Sequence, residues 1–143
     1  MRRLFLHTGY LMALEASDDQ HDQQASAYWH NASRSLPRLV TTSYDFDEVV
    51  TFFNGRNRHA KAMEIGRLLL ESPSVKLIHV DEPLFHEAWR YLIQYSDKSY
   101  SLTDYASFVV MKRPRIRTAL TFDQHFVQAG FEREPESQRT VLS

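Results

Sequence analysis

The sequence has no cysteine among its 143 residues. This absence excludes disulfide bonds, thiolate zinc sites and cysteine nucleophiles, and it fits a reducing cytoplasm. No stretch approaches the roughly 18 uninterrupted apolar residues of a membrane-spanning helix. The basic and then apolar start is interrupted early at His7-Thr8-Gly9, and no small-residue cleavage site follows, as a secretory signal would require. We therefore expect a cytoplasmic protein with no membrane segment.

A strong net charge and several familiar catalytic motifs are also lacking. The formal net charge is −1, so no overall positive field attracts nucleic acid, and contact with RNA or DNA needs a local basic patch. The sequence contains no G-x-S-x-G, Walker A, G-x-G-x-x-G or H-E-x-x-H motif. Serine-hydrolase, nucleotide-hydrolysing, dinucleotide-binding and metalloprotease functions are therefore unsupported.

The sequence does contain enough apolar material for one domain over residues 1–143. Hydrophobic residues make up 43% of the chain, which suffices for one sizeable core. No repeat, linker or low-complexity tract divides the chain, and short apolar runs alternate with longer amphipathic ones. This alternation predicts strands that are separated by helices.

The short apolar runs predict strands at Leu4–Leu6, Leu39–Thr41, Val75–Ile78 and Thr118–Thr121, and a short last strand at Thr140–Leu142. Helical spacing and capping residues predict helices at Tyr10–Glu15, His21–Ser33, Ser101–Met111 and Gln124–Gln128. Three more predicted helices carry Phe46–Phe53, Met63–Leu69 and Leu84–Ile93. The last of these starts at Asp81-Glu82-Pro83, where a capping Asp precedes a Pro in the first turn. The predicted fold class is a three-layer α/β/α sandwich with a central, mostly parallel sheet of about four or five strands.

Three acidic residues, Glu48, Asp104 and Asp123, lie beside predicted strand or helix ends. Together with His7, which follows the first predicted strand, they could converge at the carboxyl edge of the sheet. Each acid also has a local explanation. Asp104 has capping-box spacing from Ser101, and Asp123 could cap the short helix that follows it. Glu48 lies in the segment Asp45-Phe46-Asp47-Glu48 near a predicted helix start, and this segment could be a solvated acidic turn.

Joint placement of these acids favours a metal site over separate helix caps. Converging carboxylates repel one another unless a cation neutralises them. Oxygen ligands of this kind select Mg²⁺ or Mn²⁺, and two such ions can activate a water against a phosphodiester.

Several segments together resemble the PIN domain family. The segments that carry the resemblance are Leu4–Leu11, Asp19–Ala25, Thr41–Glu48, Tyr100–Ser107, and Ala119–Phe126 with Gly130-Phe131. The first resembles the opening PIN strand, in which an apolar run is followed by Asp-Thr-Ser or Asp-Thr-Gly. The fourth resembles a PIN helix start of the form Tyr-Ser-Leu-x-Asp. The last is similar to the end of VapC-type PIN toxins.

The resemblance implies a Mg²⁺- or Mn²⁺-dependent endoribonuclease, usually a homodimeric toxin that is inhibited by a small antitoxin protein. On this resemblance, Glu48, Asp104 and Asp123 would be the metal-binding and catalytic carboxylates. The hydroxyl groups of Thr8 and Thr121 would orient them. The implied partners are RNA, an antitoxin and a second copy of the chain.

His7 departs from the family pattern, because it stands where the family carries its first metal-binding Asp. Three alternatives are open. His7 could ligate Mn²⁺, which accepts nitrogen better than Mg²⁺ does; metal binding could be weakened or lost; or His7 could replace the natural residue in an inactivated variant. The resemblance thus implies RNA hydrolysis by a metal-activated water, impaired by His7. The alternative is a catalytically degenerate PIN domain that binds RNA or an antitoxin without cleaving.

Two basic clusters are candidates for RNA contact. They are Arg56 with Arg58, and the run of Lys112, Arg113, Arg115 and Arg117. The simpler explanation is that cations suit helix C-termini, whereas the functional one is contact with phosphates. 

Aromatic and histidine residues have simpler explanations as well. His125, two residues after Asp123, could lie near the site, but a packing role is the simpler expectation. Trp89 and the tyrosines at helical spacing are expected in the core or at a dimer surface rather than as base-stacking platforms.

Overall fold

The computed structural model describes residues 2–15 and 38–135. Its strands are β1 (Arg3–Leu6), β2 (Arg38–Thr42), β3 (Val75–Ile78), β4 (Thr118–Leu120) and β5 (Glu132–Glu134). Its helices are α1 (Thr8–Glu15), α2 (Ser43–Asn54), α3 (His59–Glu71), α4 (Glu82–Gln94), α5 (Leu102–Lys112) and α6 (Gln124–Gln128). The predicted helix at His21–Ser33 and the predicted strand at Thr140–Leu142 lie outside the described residues.

The strands form one sheet in the order β3-β2-β1-β4-β5, and every neighbouring pair is parallel. β1 lies in the centre, where Phe5 pairs with Val40 of β2 and with Ala119 of β4. β1 is buried at every position after its exposed Arg3. A continuous apolar run of this kind suits a central parallel strand, which helices cover on both faces. The parallel sheet between helices confirms the predicted fold class.

Helices cover both faces of the sheet and build two cores. Leu4 and Leu6 of β1 pack in one core with α1, α2 and α3, whereas Phe5 packs in the other with α4, α5 and α6. This division follows from the strand itself, because successive side chains point to opposite faces. Within the described residues, no helix has both the length and the apolar content needed to cross a membrane.

Polar side chains cap the starts of α4 and α5. The Asp81 side chain accepts a hydrogen bond from Leu84 N–H at the start of α4, with Pro83 in the first turn. At the start of α5, Ser101 and Asp104 form a reciprocal capping box. Both helix starts confirm the sequence predictions.

The sequence pattern does not predict β5, whose residues are all charged. This edge strand follows Gly130, which has a φ of 100°, and it pairs along β4 from Thr118 with Glu132 to Leu120 with Glu134. An ion pair between Arg2 and Glu134 adds a contact. Charged side chains suit an exposed sheet edge, because they discourage pairing with another chain. Pairing with β4, rather than local propensity, therefore makes this segment a strand.

Candidate metal centre

Three of the four predicted ligand positions come together at the carboxyl edge of the sheet. His7 follows β1, Asp123 follows β4, and Asp104 lies in the first turn of α5. One ligand atom from each residue lies within 4.8 Å of those of the other two. β1 and β4 are adjacent and parallel, so their carboxyl ends share an edge, and the topology brings these residues together.

Asp104 belongs to this cluster and also caps a helix. Its Oδ2 accepts a hydrogen bond from Ser101 N–H at 3.1 Å, and its own N–H donates to Ser101 Oγ at 3.0 Å. The same Oδ2 lies 3.0 Å from His125 Nδ1, and the residue is only 6% exposed. The predicted capping box is confirmed. It does not remove Asp104 from the cluster, because a carboxylate accepts several partners.

Asp123 is held by residues on both sides of it in sequence. Its Oδ1 accepts a hydrogen bond from His125 N–H at 2.8 Å, which caps α6. Its N–H donates to Thr121 Oγ1 at 2.9 Å. The buried Thr121 hydroxyl also lies 2.7 Å from His7 Nδ1. Thr121 therefore links the positions of His7 and Asp123, while its role toward a metal stays a prediction.

The His7 ring is held by two neighbours. Its Nδ1 contacts Thr121, and its ring lies against Phe126 with 4.9 Å between ring centroids. Ligation through Nδ1 would compete with the hydrogen bond to Thr121, whereas ligation through Nε2 would not.

His125 packs as expected from the sequence, and it also contacts the site, which is the alternative. Its ring does pack against Tyr100, with 4.7 Å between centroids. Its Nδ1 also lies 3.0 Å from Asp104 Oδ2 and 3.4 Å from Asp123 Oδ1. His125 therefore bridges the two carboxylates, and in its protonated form it would offset their charge. The only sequence signal for this contact is its position two residues after Asp123.

Glu48 lies beside the cluster rather than within it. It is not among the residues whose ligand atoms lie within 4.8 Å of one another, and it is exposed on α2. Although the residue as a whole is exposed, the surrounding protein partly desolvates its carboxyl group. This desolvation, and then the charge of Asp45, raises the pKa of Glu48. The Thr8 hydroxyl and His7 oppose this shift. The charges at this edge of the sheet therefore act on Glu48, although its carboxylate is not within 4.8 Å of all the other ligand atoms.

Asp45 is a buried acid that the sequence interpretation assigns only to a solvated turn, and for Asp45 this interpretation is wrong. Its Oδ1 accepts hydrogen bonds from Thr8 N–H at 3.2 Å and Thr8 Oγ1 at 2.7 Å. Its Oδ2 accepts from Thr42 Oγ1 at 2.7 Å, and the residue is completely buried. These bonds tie the start of α1, directly after His7, to the start of α2. The predicted role of Thr8 toward the metal ligands stays a prediction.

The cluster has the donor chemistry of a divalent-cation site. Asp104 and Asp123 supply carboxylate oxygens, and His7 supplies an imidazole nitrogen. Carboxylates suit both Mg²⁺ and Mn²⁺, whereas a nitrogen donor suits a transition ion such as Mn²⁺ better than Mg²⁺. The residues present therefore fit Mn²⁺ more closely than Mg²⁺.

The first predicted basic cluster packs on aromatic rings of α2. The Arg56 guanidinium lies 4.0 Å from the Phe52 ring centroid, and the Arg58 guanidinium lies 5.2 Å from that of Phe53. Arg56 is exposed and Arg58 is half-buried, and a cation–π contact leaves the edge of a guanidinium group able to meet a phosphate. Contact with RNA stays a prediction.

The second basic cluster divides into two parts. Lys112 Nζ lies 5.1 Å from the Tyr91 ring centroid, and Arg113 pairs with Glu87 at 3.2 Å. Arg115 and Arg117 are exposed in the connection to β4. Their contact with RNA also stays a prediction.

Three comparisons relate the chain to known proteins. A sequence model of the PIN domain matches residues 4–132. The 23S rRNA-specific endonuclease VapC20, from Mycobacterium tuberculosis strains CDC 1551 / Oshkosh and ATCC 25618 / H37Rv, is 33% identical over 134 residues, which are 93% of this chain and 99% of each relative. The crystal structure of Mycobacterium tuberculosis VapC20, described as a sarcin-ricin loop cleaving toxin, matches with a TM-score of 0.80 and 32% identity over 90% of this chain and 95% of that chain.

Proposed function

Because the chain belongs to the PIN domain family, among its VapC-type ribonuclease toxins, we propose that it is a metal-dependent endoribonuclease that hydrolyses RNA phosphodiester bonds. The observation that carries this proposal is the convergence of His7, Asp104 and Asp123 within 4.8 Å. Two carboxylates this close repel each other and lower the stability of the fold, so a cation between them would offset that repulsion.

His7, Asp104 and Asp123 are the residues that would hold a divalent cation, with Mn²⁺ preferred because one donor is a nitrogen. When bound, the ion supplies an activated water and offsets the charge that develops on the phosphodiester. The two acids are oriented beforehand by hydrogen bonds from Ser101 N–H and His125 N–H. Such preorganisation lowers the cost of reaching the reactive geometry.

Glu48 is the carboxylate that we assign to handling a proton from the attacking water. Its raised pKa makes it a better base than an ordinary glutamate, since a catalytic pKa nearer the operating pH is more effective. Its exposed position on α2 leaves it open to water and substrate. The family resemblance also allows Glu48 to act as a further metal ligand.

The substrate that we propose is structured ribosomal RNA. The similar proteins are named for cleavage of 23S rRNA and of the sarcin-ricin loop, and the similarity extends over most of each chain. The proposed partners in the cytoplasm are RNA, a small antitoxin protein and a second copy of this chain. Exposed apolar side chains on α4, namely Phe85, Trp89 and Ile93, support a protein partner.

A second candidate function, binding RNA or an antitoxin without cleavage, is favoured by the surroundings of His7. Its Nδ1 already has a partner in Thr121, and its ring packs on Phe126. Since His7 replaces a negative ligand with a neutral or positive one, metal affinity falls. We therefore propose that cleavage by this chain is impaired rather than typical of the family.

RNA cleavage tests both functions. The wild-type chain, His7→Asp and Asp123→Asn are incubated with an RNA that contains the sarcin-ricin stem-loop, in Mn²⁺, in Mg²⁺ and in chelator. We expect slow cleavage by the wild type in Mn²⁺ only, cleavage by His7→Asp that is faster by roughly tenfold or more with either ion, and none by Asp123→Asn. 

The pattern of activity separates the two functions. Cleavage by His7→Asp alone would establish the non-cleaving function for the chain as it stands. Absence of cleavage by all three proteins would reject the nuclease proposal for this RNA.

A further inference from the structure

A cavity of about 210 Å³ lies between the end of α4, one face of α5 and the end of α6. Four tyrosines and two lysines dominate its lining: Tyr91, Tyr95, Tyr100, Tyr105, Lys98 and Lys112. We call it the tyrosine cavity. Drug-sized ligands occupy cavities of roughly 300–1,000 Å³, so the tyrosine cavity is sized for a single ring system.

The Tyr105 hydroxyl is a buried polar group without a hydrogen-bond partner among residues 2–15 and 38–135. The Tyr105 residue is only 4% exposed, although it lines the cavity. Burial raises the pKa of this phenol, so the hydroxyl keeps its proton and can both donate and accept. A buried polar group that is left unpaired costs stability. After a small rotation of the Tyr105 side chain, a ligand in the cavity would supply the missing partner and remove that cost.

The rings around the cavity are arranged for stacking. Tyr91 lies nearly parallel to Tyr95, with an interplanar angle of 9° and 6.2 Å between centroids. Tyr91 is also nearly parallel to Tyr105, with 11° and 6.4 Å. Offset, near-parallel rings present flat faces, and flat faces of this kind bind the π-face of any nucleobase.

Two ammonium groups flank these rings. Lys112 Nζ lies 5.1 Å from the Tyr91 centroid, and Lys98 Nζ lies 3.8 Å from Asp97 Oδ2 at the exposed rim. Aromatic faces with adjacent cations are the combination by which proteins hold unpaired nucleotides, because the rings stack on bases and the cations meet phosphates.

Tyr100 connects the tyrosine cavity to the metal centre. Its hydroxyl donates to Gln128 Oε1 at 3.1 Å, and its ring lies tilted against His125, with 4.7 Å between centroids. His125 in turn contacts Asp104 at 3.0 Å. One side chain therefore separates the cavity from the acidic cluster, so a nucleotide held in the cavity would bring its neighbouring phosphodiester toward that cluster.

We propose that the tyrosine cavity receives one unstacked nucleobase of the RNA substrate, in contact with Tyr91 and Tyr105. This inference rests on the proposed ribonuclease function and adds the subsite that selects the base. Tyr91 stacks on the base, and the Tyr105 hydroxyl makes a hydrogen bond to its edge. The Lys112 ammonium group contacts the phosphate next to that base. The tyrosines at helical spacing thus serve as a base platform, which the sequence interpretation ranked below core packing or a dimer surface.

Binding without cleavage tests this inference. Binding of fluorescent single-stranded RNAs of about eight nucleotides is measured by fluorescence anisotropy in chelator. Each intact RNA contains a single base type, and one further RNA lacks the base at its central position. Wild type should prefer an intact strand to the abasic one by roughly 5- to 150-fold, the effect of stacking one base. Tyr91→Leu should lose this preference. His86→Leu, which changes an exposed ring on the same helix and outside the cavity, should keep it.

Tyr105→Phe tests the hydroxyl separately. This variant keeps the ring, so it should still prefer intact to abasic RNA, but it should discriminate less among the four bases than wild type does. Its melting temperature should be unchanged or higher, because the deleted hydroxyl has no partner among the described residues. Loss of folding therefore does not obscure the result.

The outcomes separate this inference from the proposed function. If Tyr91→Leu and Tyr105→Phe bind every oligonucleotide as wild type does, or if wild type shows no preference for intact RNA, the inference is overturned. An aromatic side chain of a protein partner would then be the remaining candidate to occupy the cavity. If the base preferences appear as stated but neither wild type nor His7→Asp cleaves RNA in Mn²⁺, the ribonuclease proposal fails and the base site stands.

Discussion

His125 Nδ1 lies 3.0 Å from Asp104 Oδ2, although 21 positions separate the two residues in sequence. The same nitrogen lies 3.4 Å from Asp123 Oδ1. One imidazole on α6 therefore holds the first turn of α5 against the end of β4. The contact orders the two acids that we propose as metal ligands, and it does so with protein groups alone.

Substitution of His125 by Asn should destabilise the protein by about 1.5 kcal/mol, the lower end of the contribution of a hydrogen bond to a charged group, because the position is only partly buried. Urea denaturation in chelator measures the change. His86→Asn is the matched control, because His86 is exposed and lies 3.9 Å from its nearest acid, Glu82. Equal losses in the two variants would show that the His125 bridge contributes nothing specific.

Substitution of Asp45 by Asn should cost roughly 2–3 kcal/mol, because a buried acid that accepts hydrogen bonds from Thr8 and Thr42 loses its charge and gains an unmatched NH₂ group. Asp47→Asn, on the same helix and exposed, should stay within about 0.5 kcal/mol of wild type. Thermal and urea unfolding measure both. A mild effect at Asp45 would mean that the junction between α1 and α2 tolerates a neutral side chain.

Replacement of Glu48 by Gln should change the pH dependence of stability. Folding raises the pKa of Glu48 above its ordinary value of 4.5, so the folded state binds this proton more tightly than the unfolded state does. The free energy of unfolding therefore falls as pH rises from the unfolded pKa through the folded one, and the full penalty remains above that window.

The measurement is a series of unfolding free energies in chelator. Glu48→Gln should match wild type below the ordinary pKa and should be more stable than wild type near neutral pH. Glu71→Gln, an exposed glutamate on α3, should show no such divergence. If the curves of Glu48→Gln and wild type run parallel at every pH, the pKa of Glu48 is not raised in the folded protein.

Charge reversal at Arg115 and Arg117 should weaken RNA binding and flatten its salt dependence. Each lost phosphate contact should reduce the slope of log K against log salt concentration by about one. The pair Arg115→Glu and Arg117→Glu is compared with Arg90→Glu, an exposed arginine on α4 outside both basic clusters. An unchanged slope in the double variant would remove this part of the cluster from the RNA interface.

Local sequence signals are sufficient for most of the fold. β1 to β4 are short apolar runs, and Asp81 and Ser101 mark the starts of α4 and α5 by their capping chemistry. β5 has no such signal, because its charged residues become a strand only through pairing with β4. Its existence depends on a contact that local propensity does not encode.

The site follows the same division. The order of acids along the chain and the parallel topology predict that His7, Asp104 and Asp123 meet at one edge. The burial of Asp45 depends on Thr8, 37 positions away, and the bridge by His125 depends on Asp104. Neither can be predicted from spacing, because each is set by how two helices pack.

Isothermal titration of Mn²⁺ into the metal-free chain tests most directly whether His7, Asp104 and Asp123 form a cation site. We predict that wild type binds Mn²⁺, that Asp123→Asn binds it at least about tenfold more weakly, and that His7→Asp binds both Mn²⁺ and Mg²⁺ more tightly than wild type. Asp47→Asn should bind Mn²⁺ as wild type does. Equal Mn²⁺ affinity in wild type and Asp123→Asn would contradict the assignment of this cluster as the metal centre.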